Sequence, residues 1–309
     1  MIKTKILFLG YSSFLKRRVL PSLKKNKKID YCICSKSNKK NIKNRIFFSN
    51  LDEGLKKFKP DIVYISKINS LHYKFAKIIL KKGYNVIVDK PATLKLKYTS
   101  ELLKIAKTKK LFFVEAVLFN YHRVFTLIKK LCGGFKNIKH INSNFNIPFN
   151  KSVSHIKKIQ GDCESDMSPY AAAITRLFLN GKMKKLNVLK DYYPKTKLVK
   201  NFYISAESNK SSYFGDFAFQ REYNQEIIFH LKDKIISSPK RIFALPPNKN
   251  NVIIVKTKNK IKKIKVKKDD CIENFFNLLL NKFKLKEYSF FYDIILEDAK
   301  IRNAIKKFY

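Results

Sequence analysis

The sequence predicts two domains: an α/β domain built on a doubly wound parallel sheet, then an α+β domain with a mostly antiparallel open sheet. Three observations carry this expectation. Short apolar runs alternate with amphipathic stretches through the first 120 residues, the pattern of strands buried on both faces and joined by helices. After residue 120 the helical stretches thin out and extended segments follow one another, as in an antiparallel sheet. Glycine or proline marks the ends of several runs, as at Gly10, Gly83 and Pro91. The boundary is set at residues 1–120 and 121–309.

Taken in order, Lys5–Leu9 reads as the first strand, ending at Gly10, and Phe14–Lys25 as the first helix. Tyr31–Cys34 is a second strand, Leu51–Phe58 a short helix, and Ile62–Ser66 a third strand introduced by Pro60 and Asp61. In Ser70–Lys82 the residues Leu71, Phe75, Ile78 and Ile79 share one helical face. Asn85–Val88, Thr99–Lys107 and Leu111–Val114 continue the alternation as strand, helix and strand. In the second half the expected elements are a helix at Arg123–Leu131, a strand-like stretch from Ile138 to Phe149 and a helix at Tyr170–Leu179. Extended segments follow at Asn201–Ser205, Phe214–Phe219, Gln225–Leu231, Ile235–Phe243 and Val252–Val255, then two closing helices, Cys271–Leu280 and Tyr288–Lys306.

The 309 residues carry 67 Lys and Arg against 23 Asp and Glu, a formal charge of +44. Such a charge suggests a nucleic-acid partner. The distribution argues against one: only eight of the cations are Arg, the residue that reads phosphates and bases bidentately, and the Lys are spread along the chain. Abundant Lys, Asn and Ile together fit AT-rich codon usage, so neither nucleic acid nor membrane is expected as a partner. The 45% hydrophobic share excludes wholesale disorder, and the lack of an eighteen-residue apolar run argues against a transmembrane helix. Cys32, Cys34, Cys132, Cys163 and Cys271 form neither a CxxC pair nor a zinc-spaced cluster. No metal site is expected, and scattered thiols fit a reducing, cytoplasmic setting.

Four constellations carry chemistry. The turn Gly10-Tyr11-Ser12-Ser13 follows the first strand, where a dinucleotide fingerprint G-x-G-x-x-G brings backbone amides to a pyrophosphate. Only its first glycine is present; Ser12 and Leu15 fill the other two places, with the Ser12 hydroxyl as a potential phosphate donor. At the end of the second strand, Ser35-Lys36-Ser37 offers a cation where NAD-selecting enzymes carry an acid. It suits the 2′-phosphate of NADP, and equally reads as one more surface lysine. Ser66, Asn69 and His72 after the third strand, and Asp89-Lys90-Pro91 after the fourth, lie at the carboxyl ends of parallel strands, where open α/β sheets bind ligands. Finally, Asp166 and Tyr170 are four apart, on one face if helical. The plain alternative has Asp166 capping the helix and Tyr170 packing, with Pro169 tolerated in a first turn.

In this order the pieces resemble the glucose–fructose oxidoreductase / inositol dehydrogenase (Gfo/Idh/MocA) family. PDIVYISKINSLHYKFAKIILKKGYNVIVDKP is similar to that family's third strand with its T-P-N-x-x-H and E-K-P loops. VEAVLFNYHRVFTLIKKL is similar to its domain-exit segment, and GDCESDMSPYAAAITRLF to its G-G-x-x-x-D-x-G-x-H/Y helix. RIFALPP resembles a strand of the second-domain sheet. The resemblance implies a Rossmann first domain and an NAD(P)-dependent oxidoreductase moving a hydride between the nicotinamide and a sugar, sugar derivative or polyol. It makes Lys90, Asp166 and Tyr170 the catalytic set, with Tyr170 as acid–base group. The cofactor, NADP or NAD, would meet Gly10, Ser12, Ser13, Ser35, Lys36, Ser37, Ser66, Asn69, His72, Asp89 and Lys90. A homo-oligomer through the second-domain sheet is a further implication. The thinned glycine turn keeps a second reading open, a non-catalytic cofactor- or ligand-binding protein on the same fold.

Overall fold

The computed structural model describes residues 3–24, 26–36, 46–149, 152–159, 161–179, 183–208 and 211–308. Two compact units emerge: residues 1–116 with 272–296, and residues 117–271 with 297–309. The chain leaves the first unit four residues before the expected boundary at 120 and returns to it near the end, a return that the residue pattern did not announce.

The first unit holds a six-stranded parallel sheet. Its strands are β1 (Thr4–Leu9), β2 (Ile29–Cys34), β3 (Phe47–Phe48), β4 (Ile62–Ile65), β5 (Asn85–Asp89) and β6 (Phe113–Ala116), in the order β3-β2-β1-β4-β5-β6. The order reverses between β1 and β4, which pair in parallel from Ile6↔Ile62 to Leu9↔Ile65. All four residues of β4 are buried. Each such side chain contributes about 1.5–3 kcal/mol by leaving water, which is why these strands are continuous apolar runs. The helices α2 (Leu51–Phe58), α3 (Asn69–Lys81) and α4 (Leu96–Thr108) supply the crossovers. α2 is capped by Asn50, whose side chain accepts from the amides of Asp52 and Glu53.

The helix expected over Phe14–Lys25 is an irregular run from residue 13 to 23. It has a π-helical turn at Leu15–Val19 and a short α1 at Leu20–Leu23. Pro21 has no N–H for a regular bond, and Leu20 N–H donates five residues back to Leu15 O, so the proline widens the turn ahead of it. Late in the chain Phe112 is edge-packed by Phe283, Tyr288 and Phe291. The Tyr292 hydroxyl donates to Leu111 O, fastening the returning helices to this sheet.

The second unit begins with α5 (Arg123–Cys132), β7 (Ile138–Ile147), α6 (Val153–Ile159) and α7 (Cys163–Phe178). There follow β8 (Lys184–Tyr192), β9 (Val199–Glu207), β10 (Ser212–Phe219), β11 (Asn224–Leu231), β12 (Ile235–Ser237), β13 (Asn251–Lys256) and β14 (Ile261–Val266). Two helices end the chain, α8 (Cys271–Lys284) and α9 (Phe290–Lys307). The eight strands are ordered β14-β13-β12-β11-β7-β10-β9-β8, antiparallel except for β7 beside β10. The lysine run at 256–268 folds as the β13–β14 hairpin, with Lys256 opposite Ile261. RIFALPP is not a strand: Ile242–Ala244 forms a 3₁₀ turn after β12. Neither β8 nor α6 was expected. β8 is exposed at six of its nine positions, leaving too little apolar alternation to signal a strand. Among the described residues all five cysteines are buried and none forms a disulfide, and no helix is long and apolar enough to cross a membrane.

Candidate functional site

In the first unit a candidate site lies where β1 and β4 end at the strand-order reversal. Gly10 has φ +108, and a Cβ there would lie 2.1 Å from the carbonyl oxygen of Ser66. Its N–H donates to Cys34 O at 2.8 Å, while Ser66 N–H donates to Leu9 O at 2.9 Å. The glycine is therefore demanded by the crossing of chain segments at the ends of β2 and β4 before any ligand is considered. The Ser12 and Ser66 hydroxyls are 2.7 Å apart, and Ser12 Oγ accepts the Leu15 N–H at 3.0 Å. Leu15, at the third glycine place, is fully buried.

The turn carrying Lys90 is pinned on several sides. Asp89 ends β5 and accepts from the Tyr64 hydroxyl at 2.5 Å and from Ser66 at 2.7 Å. Burial pushes the Asp89 carboxyl above the usual carboxylate range; those two hydrogen bonds, with His72 and Lys90 nearby, pull it back. Burial likewise raises the Tyr64 phenol well above its ordinary value, and the Asp89 carboxylate adds to the rise. His72 is fully buried, its Nδ1 2.7 Å from Pro91 O and its Nε2 2.9 Å from Lys67 O. The ring is thus spent on backbone, tying the turn after β4 to the turn after β5. The buried Glu115 of β6 accepts the Ala92 N–H at 2.9 Å, and Thr93 and Thr99 share a hydrogen bond of 2.7 Å. Lys90 itself is half-buried and precedes a cis Pro91.

In the other unit the expected residues lie on α7. Its cap is Asp162, not Asp166: Asp162 Oδ1 accepts the Ser165 N–H at 3.0 Å and Oδ2 the Val199 N–H at 3.1 Å. Glu164 and Asp166 lie in the first turn, where negative charge suits the helix dipole. Pro169 is inside the helix rather than in its first turn, so the helix starts seven residues earlier than expected. Tyr170 sits among three phenylalanine rings: stacked on Phe119 at 5.1 Å, edge-on to Phe145 at 4.6 Å, and T-shaped to Phe243 at 5.1 Å. Ala171, Ala172 and Ala173 are fully buried, and Arg176 grips Asp298 with Nε at 2.8 Å and Nη2 at 3.2 Å. Glu164 holds Lys190 at 2.7 Å with both side chains almost fully enclosed.

Of the residues expected to meet a cofactor, Gly10, Ser12, Ser66 and Asp89 converge at the β1/β4 reversal. Ser13 is exposed on the same turn, and Asn69 opens α3. Ser35 is buried at the end of β2, its N–H bound to Phe48 O, while Lys36 beside it is exposed. Ser37 lies outside the described residues. Asp166 and Tyr170 share α7. Residue reasoning missed Tyr64, Glu115, Phe119, Phe145 and Phe243. Tyr64 was the one polar atom in an otherwise apolar strand, a signal that was there to be used. The phenylalanines look like any core residue in sequence.

Residues 5–116 match the GFO_IDH_MocA family, described as an oxidoreductase family with an NAD-binding Rossmann fold. Trans-1,2-dihydrobenzene-1,2-diol dehydrogenase of Xenopus tropicalis is 22% identical over 139 residues, 44% of this chain and 42% of that protein. D-xylose 1-dehydrogenase (NADP(+)) of Hypocrea jecorina is 32% identical over 92 residues, 28% of this chain and 24% of that one. The chain thus spans less than half the length of the curated relatives it matches. Among solved structures, KijD10, a 3-ketoreductase from Actinomadura kijaniata in complex with NADP and TDP-benzene, superposes with TM-score 0.91. It covers 98% of this chain and 97% of its own at 15% identity. A dehydrogenase from Chromobacterium violaceum follows with TM-score 0.80 at 12% identity, covering 99% and 95%. These likenesses establish the shared fold.

Proposed function

We propose, from the premise that the Rossmann domain of this chain belongs to the Gfo/Idh/MocA oxidoreductases, that the protein is an NADP-preferring oxidoreductase of sugar or sugar-derivative hydroxyl and carbonyl groups. The observation that carries this reading is the pair of rigid turns at the strand-order reversal. One is the Gly10 turn leading into a helix start; the other is the Lys90 turn, held by Asp89, His72 and Glu115. The site fits a dinucleotide by its own chemistry. Gly10 allows the chain to cross Ser66 O where a Cβ would collide, bringing the following amides to the head of a helix, the arrangement that accepts a pyrophosphate. Lys36, exposed at the end of β2, takes the adenosine 2′-phosphate, and NAD is the weaker alternative.

A bound nicotinamide supplies the hydride acceptor or donor. The protein's share is orientation and proton handling. Tyr170, its ring fixed by Phe119, Phe145 and Phe243, exchanges a proton with the substrate oxygen. The Lys90 ammonium, on its fixed turn, steadies negative charge on a substrate oxygen. Asp166, one helical turn from Tyr170, accepts a second substrate hydroxyl. The first domain is the dinucleotide-binding part, and the second the substrate and oligomerisation part, associating through the open face of its sheet. Five buried cysteines outside any disulfide support a cytoplasmic setting.

The test is a screen of sugars and sugar nucleotides by NADPH absorbance with the wild type and Lys90→Met. Turnover that Lys90→Met abolishes while leaving folding intact supports the reading; unchanged turnover overturns the assignment. Calorimetry with NADPH addresses the non-catalytic alternative. No binding at millimolar cofactor favours a ligand-binding protein on this fold.

A further inference from the structure

Ser12 occupies the second-glycine place of the turn, and the hydrogens around it can be counted. Tyr64 and Ser66 each own one hydroxyl hydrogen. Both are spent on Asp89, on Oδ1 at 2.5 Å and Oδ2 at 2.7 Å. In the 2.7 Å contact between the serines, Ser12 must therefore be the donor and Ser66 the acceptor. Ser12 Oγ in turn accepts from Leu15 N–H at 3.0 Å. The chain runs Leu15 N–H to Ser12 to Ser66 to Asp89, with Tyr64 closing it from the far side. Every hydroxyl hydrogen points into the sheet, across the adjacent strands β1, β4 and β5.

We infer that this chain is a latch joining the cofactor turn after β1 to the Lys90 turn after β5, with Tyr64 and Ser66 as its positioning residues, and that the Ser12 hydroxyl does not donate to a phosphate. The inference rests on the dinucleotide reading and corrects one part of it. A glycine at the second place lets a pyrophosphate approach bare backbone. A serine there would stand in the way if its side chain faced the ligand. Drawn to Ser66, it leaves the outer side of the turn to the amides. The serine thus substitutes for glycine by being tied down, and the tie transmits the position of β5 to the phosphate turn. Asp89 is the anionic end of the chain, and the groups facing it are Tyr64 and Ser66 from β4 and its end, His72 from α3, and Lys90 next in sequence. Its two oxygens are engaged inward, so it acts as a positioning residue and is not a ribose ligand.

The experiment is a fluorescence titration of the full chain with NADPH, using Ser12→Ala, Ser66→Ala, Tyr64→Phe, Ser12→Thr and the double variant Ser12→Ala/Ser66→Ala. One lost hydrogen bond predicts that Ser12→Ala and Ser66→Ala each weaken binding about five-fold. The double variant weakens it no further, because both break the same latch. Tyr64→Phe weakens it in the same direction, and Ser12→Thr, which keeps the hydroxyl, restores wild-type affinity. If Ser12→Ala weakens NADPH binding while Ser66→Ala does not, or if the two losses multiply, Ser12 serves the phosphate directly and the latch is refuted. A wild type that binds no dinucleotide sinks the functional reading instead. The latch is then judged by calorimetric unfolding of Ser12→Ala, Tyr64→Phe and their double: non-additive losses support it, and additive ones overturn it.

Discussion

Removing the charge of Asp298 should unfasten the helix that carries Asp166 and Tyr170. Arg176, near the end of α7, donates to Asp298 of α9 through Nε at 2.8 Å and Nη2 at 3.2 Å. The two side chains are 14% and 1% exposed, so water screens the pair little. Asp298→Asn keeps the size of the side chain but leaves a guanidinium enclosed without its counter-charge. Breaking one partner of such a pair costs about 3–5 kcal/mol, against a total stability of about 5–15 kcal/mol. At roughly 2–4 °C per kcal/mol for a unit of this size, the unfolding temperature should fall by about 6–20 °C. Scanning calorimetry is the assay, because the chain contains no tryptophan to report by fluorescence. The companion variant Arg176→Leu/Asp298→Leu removes both charges and should recover most of the loss, since two apolar side chains demand no pairing. The reasoning is refuted if Asp298→Asn melts within about 1 °C of the wild type, or if the double variant is no better than the single one.

Three other outcomes follow from the same structure. Gly10→Ala would set a Cβ 2.1 Å from Ser66 O at φ +108; it should cost at least about 1–3 kcal/mol of stability and abolish NADPH binding, measured by melting and titration. Lys36→Asp should move cofactor preference toward NADH in a competition assay, and an unmoved ratio dismisses Lys36 as the 2′-phosphate ligand. His122 caps α5 by accepting the Val124 N–H at 3.1 Å, and burial lowers its imidazole below the ordinary 6.5. The unfolded chain therefore binds the proton more readily. Stability is complete above pH 6.5 and falls as the pH drops from there toward the lower folded value. His122→Asn keeps a capping acceptor and removes this titration, so urea midpoints measured through that window should fall less steeply than in the wild type.

Much of the fold was legible because its signals are local. The apolar runs at Lys5–Leu9 and Ile62–Ser66 can be buried on both faces only as central strands, and the spacing in Ser70–Lys82 announced a helix. The face that helix buries is His72, Ala76, Ile79 and Leu80, and of the four residues expected there only Ile79 belongs to it. Gly10 and the Asp89-Lys90-Pro91 turn were legible as site elements because chain reversals need those residue types. The edges were not: β8 carries too few apolar residues to alternate visibly, and α7 begins ahead of a proline that reads as a first-turn residue.

By itself, then, the sequence determined the alternation of strands and helices, the turns at the strand ends, and the pairing of Asp166 with Tyr170 on one helix. Only the tertiary structure decided which way the polar atoms point. It turned Ser12, Ser66 and Asp89 inward on one another, spent His72 on two carbonyl oxygens, and set three phenylalanines from distant segments around Tyr170. The physical reason is that periodicity records burial, which is a property of a residue and its near neighbours in the chain. The direction of a hydrogen bond depends on partners brought together from afar, 54 positions apart for Ser12 and Ser66, and no local pattern encodes them.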